Sequence, residues 1–338
     1  MASNDLLSST LFSIRDSEVD ELFKKTAFLD YAKKLGGLET EDGGIKIQRP
    51  LSVVDHSSIT SLATGYEPVS LAVSDVLRPA IYEWADFVAP IVITQKEEME
   101  NSGDKAIVKI VEARMKSVMG MLRREINKQI LAGNSTVLTG LNTLNGEASA
   151  TGFFENGAPT AAGQTNTIGG LAKATLDVRG WYNQRATAAS AFGANGLASM
   201  AELYAKSNSI APMGETKLII ASEAGFVNYK RALQAQERYI DEKVLDGGRM
   251  SLAYAGASVE QEIDMPTNTA IGTDEYSMYF LNFDGIKLVM HSQGDFALSP
   301  FEHISGTTAR AAQLYWKGQL IADHLGSCGV LVDGDTYV

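Results

Sequence analysis

Residues 104–131 read DKAIVKIVEARMKSVMGMLRREINKQIL. Within them Ile107, Val111, Met115, Val118, Leu122, Ile126 and Ile130 follow one another at intervals of four, four, three, four, four and four. Side chains three and four apart share one face of a helix, so the spacing predicts one apolar stripe on an uninterrupted helix. At 1.5 Å per residue that helix is roughly 40 Å long. Asp104 is placed to cap its start and Gly133 to stop it. Only one side is apolar, so the helix is expected to lie across a sheet or another layer rather than through a core. The rest of its surface carries Lys105, Lys109, Arg114, Lys116, Arg123, Arg124 and Lys128 against Glu112 and Glu125. The plain reading of these cations is a solvated or salt-bridged face.

Upstream, residues 1–15 are polar and aperiodic, as an extended arm would be. A helix is expected from Ser17, with Val19, Leu22, Phe23, Thr26, Leu29 and Ala32 on one face and Gly36-Gly37 ending it. The character changes at Gly43-Gly44. Ile45-Lys46-Ile47-Gln48-Arg49 alternates up to Pro50, and Val69-Ser70-Leu71-Ala72-Val73 alternates again after a Ser/Thr-rich stretch. Two strands joined by so long a polar connection form an arm rather than a tight hairpin. Ile45, Ile47, Val69, Leu71 and Val73 then need a packing partner from outside the arm.

Downstream, residues 133–170 are rich in Gly, Thr, Ala and Asn and mark the best boundary between subdomains. Helical patterns are expected around 171–190 and 197–207, a buried strand over 217–221, and a helix over 223–235. In 279–290 the pair Asp284-Gly285 is a two-residue hairpin signal. Over 312–324, Ala312, Leu314, Trp316, Leu320, Ala322 and His324 alternate with Gln313, Tyr315, Lys317, Gln319 and Asp323, and Gly318 is a candidate kink. The sum is an α+β chain, with one long helix early and strands late.

The 338 residues are 45% hydrophobic and 21% charged, enough apolar material for real cores. A net charge of −12 argues against wholesale wrapping around nucleic acid, which depends on phosphate neutralisation. One cysteine, Cys328, excludes an intrachain disulfide. No signal peptide is expected, because Met-Ala-Ser-Asn-Asp lacks a basic stretch followed by an apolar core, and no apolar run nears the ~20 residues of a membrane span. His56, His291, His303 and His324 lack metal-ligand spacing, so no metal and no cofactor is expected. Neither a nucleophile elbow, a phosphate-binding loop nor a dinucleotide fingerprint occurs. Gly169-Gly170 could open an anion-binding helix, but a flexible helix entry is the simpler reading. Glu97-Glu98 reads as a solvated pair, and Asp323 and His324, adjacent on a strand, point to opposite faces. No catalytic residue is assigned.

The order of these elements, with several short stretches, resembles the major capsid proteins of tailed bacteriophages, whose fold is named after phage Hong Kong 97. The stretches are Asn101-Ser-Gly-Asp-Lys-Ala-Ile, Leu131-Ala-Gly-Asn134, Thr139-Gly-Leu-Asn-Thr-Leu, Ile168-Gly-Gly-Leu and Trp181-Tyr-Asn-Gln. Further on come Phe226-Val-Asn-Tyr-Lys-Arg with Arg238, then Leu252-Ala-Tyr-Ala-Gly-Ala-Ser-Val, Phe280-Leu-Asn-Phe-Asp-Gly-Ile-Lys-Leu and Ala312-Gln-Leu-Tyr-Trp-Lys-Gly-Gln-Leu. Each is loose alone; together they span roughly residues 16–330. The resemblance implies an N-terminal arm and helix over 1–42 and an extended loop over 43–76. A peripheral domain of 77–134 and 301–330 would contain the long spine helix. An axial domain over 135–300 and a tail over 331–338 complete the division. It further implies hexamers and pentamers that close into an icosahedral shell around double-stranded DNA, assembled in a bacterial cytoplasm. Portal, scaffold and decoration proteins are the implied partners. Ile45, Ile47, Val69, Leu71 and Val73 would then contact a neighbouring subunit. Lys105, Lys109, Lys116, Arg123, Arg124 and Lys128 would face the DNA. Lysine–asparagine cross-linking is not carried over, because the loop offers only Lys46, near its base. The stretch ahead of the first helix is short for a cleaved scaffolding segment, so a separate scaffold protein is expected. The alternatives are an encapsulin, a smaller family that the Gly-rich segment and extra helices at 133–210 fit less well, and an unrecognised hydrolytic or carbohydrate-acting enzyme.

Overall fold

The computed structural model describes residues 26–52, 65, 77–100, 104–132, 137–145, 167–172, 181–188, 192–210, 214–235, 243–244, 250–265 and 276–332. The long helix spans Asp104–Ala132. Among its described side chains the buried hydrophobic ones are Val111, Met115, Met119, Leu122, Ile126, Ile130 and Leu131, and Val118 only packs partly against them. The stripe therefore runs through Met119 where the spacing pointed to Val118. A helix of 3.6 residues per turn drifts off a strict repeat, which lets the neighbouring position take over. The side chain of Ile107 lies outside the described residues.

This spine packs on a six-stranded sheet organised by one long strand, Ala309–Ala322. Along one side of it Ala85–Thr94 runs antiparallel, from Ala309 opposite Thr94 to Gly318 opposite Ala85. Along the other side come, in turn, Glu302–His303, Ala297–Leu298 and Ile286–His291. Leu38–Glu41 adds in parallel beyond the last. Ala312, Leu314, Trp316, Leu320 and Ala322 are all buried, as alternation requires, while His324 lies past the strand end. Gly318 does not kink the strand. A Cβ there would lie 2.6 Å from the Trp316 ring and 2.9 Å from the Val289 carbonyl oxygen, so glycine makes room for a close approach within a continuous ladder.

A second sheet of seven strands follows the order Gln184–Thr187, Gly329–Val332, Tyr276–Leu281, Leu218–Ala221, Ala257–Gln261, Met250–Tyr254 and Lys243–Val244. The helices Leu197–Ile210 and Glu223–Ala235 pack on it. Two expectations fail here. Within the segment expected to be helical, residues 171–172 and 184–187 are strands, the latter through parallel pairing with Gly329–Val332, while 173–180 and 189–190 lie outside the described residues. Tertiary pairing outweighs a local helical pattern. Asp284-Gly285 does not make a hairpin either. The strands before and after it enter different sheets, Tyr276–Leu281 the second and Ile286–His291 the first. The turn is held by the Asn282 side chain, whose Oδ1 accepts from the Asp284 N–H at 3.0 Å. A Cβ on Gly285 would meet Ser327 Oγ at 2.1 Å and the His324 carbonyl oxygen at 2.6 Å, so this glycine serves a backbone approach.

The sheets also divide the chain at places other than residues 300 and 330. Residues 286–298 belong with the long strand, and Gly329–Val332 returns to the second sheet. The first helix is described over Ala27–Lys34, with Thr26, Leu29 and Ala32 buried; Ser17, Val19, Leu22 and Phe23 lie outside the described residues.

Candidate assembly surfaces

Lys46–Ser52 pairs antiparallel with Leu77–Glu83, forming a ribbon that leaves the first sheet at Trp84. The return strand is thus 77–83, whereas Val69, Leu71 and Val73 lie outside the described residues. One face of the ribbon, with Ile47, Leu51, Ala80 and Tyr82, is buried in the chain's own core. Ile47 is only 1% exposed, so it does not need the neighbouring subunit to which the sequence reading assigned it. Ile45, by contrast, is 93% exposed.

The root of the ribbon is tied down on several sides. Tyr82 Oη donates to the Ala322 carbonyl at 3.0 Å and accepts from the Ala322 N–H at 3.3 Å. Burial pushes its phenol pKa far up, which keeps it a neutral donor. Gln319, itself buried, donates from Nε2 to the Glu83 carbonyl at 2.7 Å. Its Oε1 accepts from the Thr139 N–H at 2.8 Å and the Leu320 N–H at 3.0 Å. Trp84 Nε1 donates to the Gly44 carbonyl at 3.0 Å. Arg49 reaches Glu39 at 2.6 Å and Glu41 at 3.0 Å, and Lys287 lies 3.6 Å from both Glu39 and Asp323. Burial opposes charge on Glu39, yet Arg49 and then Lys287 outweigh it and lower its pKa.

Gly169-Gly170 opens no helix. It is the tight turn between Thr167–Ile168 and Leu171–Ala172, with positive φ at both glycines. The Gly169 carbonyl accepts from the Ile81 N–H at 2.8 Å, and a Cβ there would stand 2.9 Å from that of Ala80. A cavity of about 200 Å³ sits beside this turn, lined by Ile81, Trp84, Val137, Thr139, Ile168 and Gln319 among others. The carboxylate at its edge, Glu83, is paired with Lys46 at 2.9 Å across the ribbon. A charge-paired carboxylate beside neutral groups offers no acid–base couple.

The first sheet exposes a strip with an apolar middle, Val88, Pro90 and Val92, on the face opposite the buried Ile91 and Ile93. Asp86, Val88, Pro90, Val92 and Thr94 are exposed, and the cross-strand neighbours are Lys317, Tyr315, Gln313 and Ala311. Tyr315 Oη donates to Asp86 Oδ1 at 2.5 Å, which pushes the Tyr315 pKa up to about 12.

On the spine, Lys116, Arg124 and Lys128 are exposed and Arg123 is half-buried; the side chains of Lys105 and Lys109 lie outside the described residues. Arg124 stands 3.5 Å from Asp264. Arg114 departs from the cationic face altogether. Its guanidinium bonds both the Val92 carbonyl and Glu97, locking the spine to the first sheet. Glu97 and Thr94 form a reciprocal cap on the short helix Gln95–Glu100. The Thr94 N–H first, then Arg114, hold the Glu97 carboxyl down to about 2. Glu97 is therefore a structural ion rather than a solvated one. Asn127, buried, donates to Glu262 at 3.2 Å and Asp264 at 3.1 Å, and Glu262 accepts from the Ala27 N–H at 3.3 Å. That joins the spine, the first helix and the second sheet.

Among the described residues no three His, Cys, Asp or Glu side chains gather as a metal site. No helix among them is long and apolar enough to cross a membrane. Cys328 is fully buried and its thiol is pushed up to about 11, an inert state. Burial lowers the His324 pKa.

No protein-family model matches the chain, and no curated protein matches it by sequence. Solved structures do match. The capsid asymmetric unit of cyanophage A-1(L) superposes with a TM-score of 0.60 at 16% identity, over 91% of this chain and 93% of that one. The holo-SrpI encapsulin complex from Synechococcus elongatus PCC 7942 gives 0.55 at 10% identity, over 90% and 89%. The capsid of a native GTA particle gives 0.55 at 11%, over 90% and 89%. The chain has the α+β, Hong Kong 97-type fold of phage capsid proteins, which this encapsulin shares. The overlap covers 90% of this chain and 89% of the encapsulin, so the fold likeness does not set the encapsulin alternative behind the phage capsids.

Proposed function

We propose that this chain is the major shell subunit of a tailed bacteriophage, assembling as hexamers and pentamers into an icosahedral capsid around double-stranded DNA. The observation that carries the reading is the arm. It is fastened at its root by hydrogen bonds and ion pairs, yet Ile45, Leu77 and, in part, Ile81 keep apolar surface exposed. A fastened root with an exposed apolar face suits a part that grips a neighbour, and the fold likeness to capsids supports that use. The uncovered strip at Val88, Pro90 and Val92 is a second surface of the same kind. Portal and scaffold proteins would join assembly in the host cytoplasm. On this reading Lys116, Arg123, Arg124 and Lys128, with Lys105 and Lys109, line the interior. A chain of net −12 would otherwise turn an acidic wall to the genome. A few cations soften that repulsion without tight binding, since affinity grows with the number of phosphates neutralised.

The encapsulin likeness favours a second reading, a protein compartment around a protein cargo. Particles purified from the producing cells separate the two. Nuclease-protected double-stranded DNA inside them is the expected result. A co-purifying protein cargo without DNA overturns the phage reading in favour of the compartment.

A further inference from the structure

Pro50 stands directly opposite Pro79 in the arm ribbon. Antiparallel residue pairs alternate between those that exchange two N–H···O bonds and those that exchange none. Two residues without an N–H can only form the second kind. In such pairs the amides point away from the partner strand, toward the two outer edges of the ribbon. The same alternation aims Gln48 and Ser52 outward on one edge, and Leu77, Ile81 and Glu83 on the other. The bond from Ile81 N–H to Gly169, which lies outside the ribbon, agrees with this direction.

The consequence is that both edges are interrupted. On the first strand the outward donors break at Pro50, between Gln48 and Ser52. On the return strand the donor is missing at Pro79 and already engaged at Ile81. A third strand draws on the donor at every second residue of the edge it joins, so a missing or engaged donor weakens such pairing, and exposed edges without such a gap invite uncontrolled pairing. We infer that residues 46–52 and 77–83 are closed to strand addition, so that the ribbon meets a second copy of this chain through its exposed face. That face carries Pro50, Leu77, Pro79 and Ile81, with Leu77 58% exposed. The prolines thus do two things. They deny edge pairing and they add apolar surface to the face.

The identity of the partner rests on the shell reading above; the closed edges do not. The first test uses the wild-type chain. Hydrogen exchange by mass spectrometry compares free subunits with assembled particles over 46–52 and 77–83. Face docking leaves the outward amides of Gln48 and Ser52 within about tenfold of their free rate, whereas strand addition would slow them by about 100-fold or more. Slowing of that size would overturn the inference. The second test opens the edges with Pro50→Val and Pro79→Val, singly and together. Any of these that melts like wild type should form irregular or fibrous aggregate, detected by light scattering and microscopy, at the expense of ordered assembly. Aggregation and assembly unchanged in every such variant would equally overturn it. If wild type forms no shells, the shell reading falls, while free-subunit aggregation in the proline variants still decides whether the edges are closed.

Discussion

Leu122 and Met121 are consecutive residues on the spine helix with opposite fates. Leu122 lies in the middle of the buried stripe at 6% exposure, and Met121 is 71% exposed. Replacing Leu122 with Ala removes a branched side chain from between the spine and the first sheet. The loss combines transfer free energy with an unfilled cavity, and buried Leu→Ala changes cost about 2–5 kcal/mol. Alanine favours helix at least as well as leucine, so propensity offsets little of that. A value near 3 kcal/mol is expected. With an unfolding entropy of about 2.1 cal/mol/K per residue, a chain of this length should lose about 4 °C in Tm. Met121→Ala should stay within about 0.5 kcal/mol of wild type. Urea and thermal melts of unassembled subunits measure both, and an unchanged urea slope confirms that stability alone has moved. If Leu122→Ala melts with wild type while Met121→Ala does not, the stripe has been assigned to the wrong side of the helix.

Glu97→Gln tests the clamp between the spine and the short capped helix. The folded carboxyl sits at about 2, below its ordinary 4.5, so its contribution is whole above about pH 4.5 and fades as the pH falls toward 2. The gap in Tm between wild type and Glu97→Gln should therefore close over that window; a gap that widens toward acid contradicts the assignment. Deleting residues 52–64 should leave a subunit that melts cooperatively but fails to make closed shells, and normal shells from it would mean the arm is dispensable. Replacing Lys116, Arg123 and Lys128 with Gln should leave empty shells unchanged and make filled ones less heat-stable, most of all at low salt. An identical response of filled and empty shells at every salt concentration would reduce these cations to a solvated face.

Much of the framework was legible from periodicity alone. The spine buries one side against a single layer and the long strand alternates from Ala312 to Lys317, so their residues repeat at 3.6 and at 2, whereas Gly318–Ala322 is buried on both faces. What failed to show were features set by partners far away in sequence. The Asp284-Gly285 pair carries a hairpin signature, but its glycine answers to Ser327 and His324 rather than to a turn between paired strands. Gln184–Thr187 became a strand because Gly329–Val332 lies alongside it. Ile47 belongs to an alternating segment whose inner face the chain itself covers, and local spacing cannot say which body does the covering. Arg114 is one of seven cations in the sequence of the spine, and only the approach of Val92 and Glu97 singles it out. The facing prolines were equally hidden, since their register depends on a pairing between 46–52 and 77–83, which are far apart in sequence.

The central claim is that this chain builds a closed shell. Negative-stain microscopy of this chain, expressed alone and concentrated at low and at near-physiological salt, tests it most directly. Isometric closed particles with clusters of five and six subunits are the predicted result. A chain that stays monodisperse and small under all these conditions, while melting as a folded protein, would contradict it.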